Sequence, residues 1–212
     1  MTVEIILARH GDTEWNTGEI FRGLADVGLS EAGKKQAELL GEYLSGEKID
    51  FIYSGPLRRA VQTAEAIAGH HKLDVHVVQN LIDINYGEWQ GVSLADVRKL
   101  YPDTYQDWLD TPEQVRIPGG DSLEDVRSRA LPFLEDAVMR CEEGKVVMVS
   151  HRVVNKVLLC ALLGLDNSCF WNIKLDTCAI SRFEVIAGRF VLTCHNDTSY
   201  LKSVRNFPTS DF

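Results

Sequence analysis

Arg9, His10 and Gly11 stand directly after one short apolar run, Ser54 to Arg59 follow a second, and His151 follows a third. An unprotonated imidazole nitrogen is a base or a nucleophile near neutral pH. A guanidinium keeps its charge and presents a flat fork of donors that matches an oxyanion. Taken singly, each cluster is equally a polar cap on a strand. If the three strands share an open α/β sheet, their carboxyl ends place all the clusters in one crevice. A few arginines focused there dominate the local potential and suit an anionic small molecule, whatever the net charge.

The elements that must do this positioning are readable. Val3–Ala8 reads as a buried strand ending at Arg9-His10-Gly11. Ser30 N-caps a helix from Glu31 to about Ser45, with Ala37, Leu40 and Leu44 at helical spacing. Phe51-Ile52-Tyr53 is a second strand, and Pro56 suits the first turn of a helix running to about Ala68. Val75–Val78 is a third strand. The stretch Asn80–Gly120 carries turn signals and short helical pieces and sets Trp89 and Trp108 among polar residues. Asp121 or Ser122 caps a long helix through Glu143, with Pro132 as a kink. Val146–Val149 is a fourth strand, ending at Ser150-His151, and a helix over Val153–Leu163 stops at Gly164. Ala179–Ile186 and Phe190–His195 pair as a hairpin around Ala187-Gly188-Arg189. Strands alternating with helices give a layered α/β sheet, and the hairpin adds antiparallel character.

The 212 residues carry 22 Lys+Arg against 31 Asp+Glu, a net charge of −9, with 45% hydrophobic residues. That is an ordinary globular composition, and the length suits one domain over residues 1–212. A pI near 5.1 argues against a nucleic-acid or anionic-membrane binder. The longest apolar run, Val157–Leu165, is too short to span a bilayer, and the first residues lack a basic leader, so a soluble cytoplasmic protein is expected. Five cysteines without a CxxC pair read as reduced, mostly buried small hydrophobes rather than a zinc site. Gly28 to Lys35 falls short of a phosphate-binding loop and is better explained by the helix start at Ser30. His70, His71 and His76 lack metal-ligand spacing and read as solvent-exposed, so no metal is expected. Asn196-Asp197-Thr198 matches a glycosylation acceptor, which carries no meaning in an unsecreted chain.

The segment Arg9-His10-Gly11-Asp12-Thr13-Glu14-Trp15-Asn16 is similar to the signature of the histidine phosphatase (phosphoglycerate mutase-like) superfamily. Phe21-Arg22-Gly23 with Asp26, Leu29 to Gly33, Ser54 to Ala64, and Tyr86 to Gly91 resemble its later blocks. Pro118 to Ser122, Val149-Ser150-His151 and Asn196-Asp197-Thr198 complete it in order along nearly the whole chain. The resemblance implies a three-layer α/β/α sandwich with a mostly parallel central sheet. It also implies a phosphomonoesterase of the histidine acid phosphatase type, needing neither metal nor cofactor. Leu162 to Leu165 and Phe170-Trp171, with Val115 to Ser122, resemble metal-independent phosphoserine phosphatases. The α-ribazole-5′-phosphate phosphatases look almost as close. A cofactor-dependent phosphoglycerate mutase is the alternative, although such enzymes carry an extra middle segment for which this chain is short. An inactive binder of phosphorylated ligands is the other. A homodimer joined through an edge strand is the assembly that analogy suggests.

On this reading His10 is the nucleophile, with its other ring nitrogen held by an acceptor that the sequence does not name. Arg9 and Arg59 hold the equatorial phosphoryl oxygens, Arg58 faces solvent, and Asn16 adds a neutral donor. Gly23 and Arg22 line the substrate pocket, or Arg22 is only a surface charge. His151 faces His10 across the phosphoryl group, protonated when substrate is bound. Asp83 stands where relatives carry a glutamate general acid and is shorter by about 1.5 Å; Glu88 is the other candidate. Arg152 replaces the usual glycine, either to read a carboxylate or second phosphate or to pair with surface carboxylates. Tyr200 lies near where many relatives carry histidine.

Overall fold

In the computed structural model, which describes residues 3–16, 19–141 and 143–204, one six-stranded sheet organises the chain. Its order is β3 (Val75–Val77), β2 (Phe51–Ser54), β4 (Gly144–Ser150), β1 (Val3–Arg9), β5 (Ile180–Ile186), β6 (Arg189–Asp197). The first four are mutually parallel, and β5 and β6 run antiparallel to their neighbours. The sheet is mostly parallel, as expected, with the hairpin at one edge. Ala187 and Gly188 at its tip have φ of 50° and 75°, the paired left-handed conformation of a two-residue hairpin turn.

Both faces of the sheet are covered, which is why β1 and β4 are continuous apolar runs rather than alternating ones. Ile6, Ala8, Val147 and Val149 pack on one face against α1 (Glu31–Leu44) and α2 (Arg58–His71). Ile5, Leu7, Val146 and Met148 pack on the other against α5 (Leu123–Arg140) and α6 (Arg152–Leu162). The three-layer α/β/α arrangement follows. Two short helices, α3 (Leu94–Leu100) and α4 (Pro102–Asp110), lie in the connection between β3 and α5.

Several boundaries differ from the sequence reading. Pro56 is not in the first turn of α2, because the backbone is still extended at Leu57. Helix entry is fixed instead by Asp26, whose carboxylate accepts from Arg58 N at 2.7 Å and meets one of the helix's orphan donors. The helix also continues to His71. Ser122 caps α5 in a reciprocal capping box with Asp125, and the helix ends at Arg140 rather than Glu143. Trp89 and Trp108 are buried despite their polar neighbours. The amphipathic α4 turns Tyr105 and Trp108 inward, and Trp108 packs edge-on against Trp89 and Trp171.

Near the amino ends of β1 and β4, an ion-pair network ties the sheet together. Arg182 of β5 donates to Glu4 of β1 and to Glu47 of the α1–β2 connection, each at 2.6 Å. Lys145 of β4 pairs with the same two carboxylates. The cysteines are all free, and three of the five are buried. Among the described residues no helix is long and apolar enough to cross a membrane, and no three His, Cys, Asp or Glu side chains gather to hold a metal.

Candidate active site

The parallel register of β1 and β4 sets Arg9 beside Ser150, so the residues that follow, His10 and His151, leave the sheet side by side. The His10 backbone N–H donates to Ser150 O at 3.0 Å. His151 caps α6. Their rings lie 5.2 Å apart, inclined at 59°.

The His10 ring is oriented by its own neighbour. Nδ1 lies 2.7 Å from the Gly11 carbonyl and can only donate to it, which assigns the lone pair to Nε2. Burial, then the charges of Arg59, His151, Arg9 and Arg22, hold its pKa well below the ordinary 6.5. The ring is therefore neutral near pH 7 and carries a free nucleophilic nitrogen. For His151, burial outweighs the attraction of Asp83, and the pKa falls to about 3. Its Nδ1 is 3.6 Å from Asp83 Oδ2. In this state it is neutral, so the protonation expected of it would have to accompany an arriving anion.

Arg59 is fully buried at the start of α2. It donates to Ala25 O, Gly23 O and Asp83 Oδ2 at 2.7, 2.8 and 3.0 Å, and its Nε finds no partner. Thr63 Oγ donates to Arg59 O and accepts from Gly11 N, tying helix α2 to the His10 turn. Arg9 donates to the carbonyl of Leu175. Arg58 is exposed, with its Nε 3.4 Å from Asp26, as the sequence suggested. Arg22 is no surface charge: burial, then Arg9, Arg59 and Arg152, pull its pKa from 12.5 to about 9. Its buried NH1 has no partner. Still charged at pH 7, it senses repulsion that a bound anion would relieve.

Of the residues the sequence singled out, His10, Arg22, Gly23, Asp83 and Arg152 line a narrow cleft together with Ile20, Phe21, Tyr86 and Val153, while Arg9, Arg59 and His151 stand outside that lining. Gly23 has φ of 48°, and a Cβ there would stand 2.9 Å from Ile84 O. Only glycine lets this backbone pass and still offer its carbonyl to Arg59. Asn16 is not in the lining; its Oδ1 accepts from Thr13 N and Oγ, both at 2.9 Å. Tyr200 is also elsewhere, stacked on Tyr43 and bonded to the Cys178 carbonyl.

Asp83 is the carboxylate of the cleft, whereas Glu88 is exposed and accepts from Tyr101. Burial alone would raise the Asp83 carboxyl. The His151 ring when it holds a proton, the Arg59 charge and the Ile84 N–H outweigh it and leave the group below the usual carboxylate range. Arg152 turns inward rather than to surface carboxylates, with its guanidinium 5.8 Å from the Trp171 ring. Asn196 Oδ1 accepts from Asp176 N at 2.8 Å and its Nδ2 donates to Asp176 Oδ2 at 3.0 Å, steadying the loop whose Leu175 carbonyl receives Arg9.

Two features escaped the sequence reading. Tyr86 lines the cleft, although its pairing with Gly87 marked only a motif. Arg129 of α5 donates to Ile82 O and Asp83 O at 3.2 and 3.0 Å and pairs with Asp121, whose carboxylate accepts from Asn85 N. It clamps the segment carrying Asp83. No local signal announces a side chain that acts on backbone 46 residues away.

A match to the histidine phosphatase superfamily (branch 1) spans residues 5–198. Phosphoserine phosphatase 1 of Hydrogenobacter thermophilus is 39% identical over 206 residues, covering 95% of this chain and 98% of that protein. The solved structure of Bacillus stearothermophilus YhfR superposes with a TM-score of 0.90 at 28% identity, over 94% of this chain and all of that one. An Entamoeba histolytica phosphoserine phosphatase mutant in complex with phosphoserine gives 0.86 at 29% identity, over 94% and 99% of the two chains.

Proposed function

The chain belongs to the histidine phosphatase superfamily, branch 1, and from that premise we propose a metal-independent phosphomonoesterase working through a phosphohistidine at His10, with phosphoserine as its first candidate substrate. One observation carries the assignment of His10: its Nδ1 is tied to Gly11 O, which leaves the Nε2 lone pair free on a ring that lines the cleft together with Arg22 and Arg152.

Nε2 attacks phosphorus in line with the ester oxygen, and the P–O bond breaks as the N–P bond forms. Arg9 and Arg59 hold the equatorial oxygens, and a proton passes from the Asp83 carboxyl to the leaving oxygen. In the second half water attacks the phosphohistidine, its proton goes to the Asp83 carboxylate, and the N–P bond breaks to release phosphate. His151 steadies the phosphoryl group from the opposite side. The guanidinia supply the charge stabilisation for which other phosphoryl-transfer sites use a metal ion. The relative at 39% identity and the phosphoserine complex at 29% support the substrate. An α-ribazole phosphate ester is the second candidate. The same reading includes a dimer formed at the sheet edges, where among the described residues β3 and β6 have a neighbouring strand on one side only.

The test is phosphate release in EDTA from phosphoserine, α-ribazole-5′-phosphate, 3-phosphoglycerate and p-nitrophenyl phosphate. Turnover should be selective, and His10→Ala should lower it by more than about a thousandfold. Isomerisation of 3-phosphoglycerate dependent on 2,3-bisphosphoglycerate, without phosphate release, would make the protein a mutase instead.

A further inference from the structure

Beyond the phosphoryl pocket, the cleft has a second cationic wall. Arg152 occupies the first turn of α6, immediately after His151, and is buried at 9% exposure. Its guanidinium packs near the face of Trp171 and donates to the Tyr86 hydroxyl. Across the same cleft stands Arg22, with its buried NH1 unpartnered. Neither residue is needed to account for the oxygens assigned to Arg9 and Arg59.

Resting on the phosphatase reading above, we propose that Arg152, oriented by Tyr86 and Trp171 and assisted by Arg22, is the specificity-determining residue that reads a carboxylate on the alcohol part of the substrate. Two arguments favour this. First, chemistry: Arg152 and Arg22 line the cleft beside His10, and a guanidinium offers a planar fork that matches a carboxylate, the one anionic group phosphoserine carries besides its phosphate, in two parallel hydrogen bonds. Second, among the described residues the lining contains no carboxylate besides Asp83, which is bonded to Arg59 and Ile84 N. The cleft therefore recognises the acid and not an ammonium group. The substrate class is a short phosphorylated carboxylic acid, of which phosphoserine is the amino-substituted member.

The experiment compares kcat/KM for phosphoserine, phosphoglycolate (carboxylate without ammonium) and phosphoethanolamine (ammonium without carboxylate), in the wild type and in Arg152→Met. In the wild type both acids should exceed phosphoethanolamine by about 10- to 100-fold. In Arg152→Met that ratio should collapse toward one, mainly through KM. Tyr86→Phe, which removes only the orienting oxygen, should lower it severalfold and guards against misfolding of the larger change. A wild-type ratio near one, or a ratio that survives both substitutions, would overturn the proposal. A chain that hydrolyses none of these esters would instead count against the phosphatase reading. The subsite is then read by calorimetry on His10→Ala, where phosphoglycolate should bind about tenfold or more tighter than methyl phosphate, and Arg152→Met should erase the difference.

Discussion

At pH 7 both imidazoles of the cleft are neutral and Asp83 is ionised, so no side chain there holds the proton that an alkyl leaving group needs. The substrate can bring it, because a phosphomonoester loses its second proton only at a pH of about 6. Bound as a monoanion, the ester passes that proton to Asp83, which returns it to the leaving oxygen. The expected profile of kcat/KM for phosphoserine is then highest in mild acid and falls by about tenfold per pH unit above about 6. It should show no rising limb near pH 6.5, because His10 has already lost its proton there. A rate that climbs with pH through that region would mean a histidine must first deprotonate, contrary to the buried environment described. Asp83→Asn should slow phosphoserine by about 10²- to 10⁴-fold and p-nitrophenyl phosphate, whose leaving group needs no acid, far less. Equal losses on both esters would remove Asp83 from the acid role. His10, Arg9, Arg59 and His151 were legible because motif order and strand ends both mark them. The state of Asp83 was not, because it depends on Arg59, 24 residues away in sequence.

The segment from Ile82 to Gly87 contains no helix or strand until the short turn at Gly87–Trp89, yet it carries the acid. Its rigidity comes from α5, through Arg129 to two of its carbonyls and through Asp121 to the Asn85 N–H. Arg129→Ala should lower kcat for phosphoserine by about tenfold with a smaller change in KM, and should raise the preference for aryl over alkyl esters. Equal effects on both leaving groups would reduce Arg129 to a merely structural residue. The existence of α5 was readable from Ser122 and its apolar spacing, but its partner was not. Periodicity reports which face of a helix is buried; it does not report which loop lies above that face. The same limit explains Trp89 and Trp108, whose polar sequence neighbours are the outer faces of short helical turns.

Across the whole molecule two fields compete for an anionic substrate. The chain carries a net charge of −9, while Arg22 and Arg152 line the cleft and Arg59 and Arg9 add their charge at His10. If the cleft prevails at close range, raising ionic strength from about 0.01 M to about 0.3 M should lower kcat/KM for phosphoserine by roughly three- to tenfold. An increase with salt would show that repulsion by the outer surface governs capture. Composition disclosed the first field, and only the convergence of three strand ends discloses the second. The layered sheet and its antiparallel edge were legible from alternation and turn chemistry. The strand order was not, because β1 lies between β4 and β5, strands more than a hundred residues away.

The network of Glu4, Glu47, Lys145 and Arg182 fastens three strands at the amino end of the sheet, roughly 17 Å from the point where Arg9 leaves it. Anchorage and recognition therefore occupy opposite ends of the same strands. Residues such as Arg152 and Tyr86 can be exchanged during divergence without loosening that anchor. Such a scaffold can change its diet one cleft residue at a time and remain folded at every intermediate.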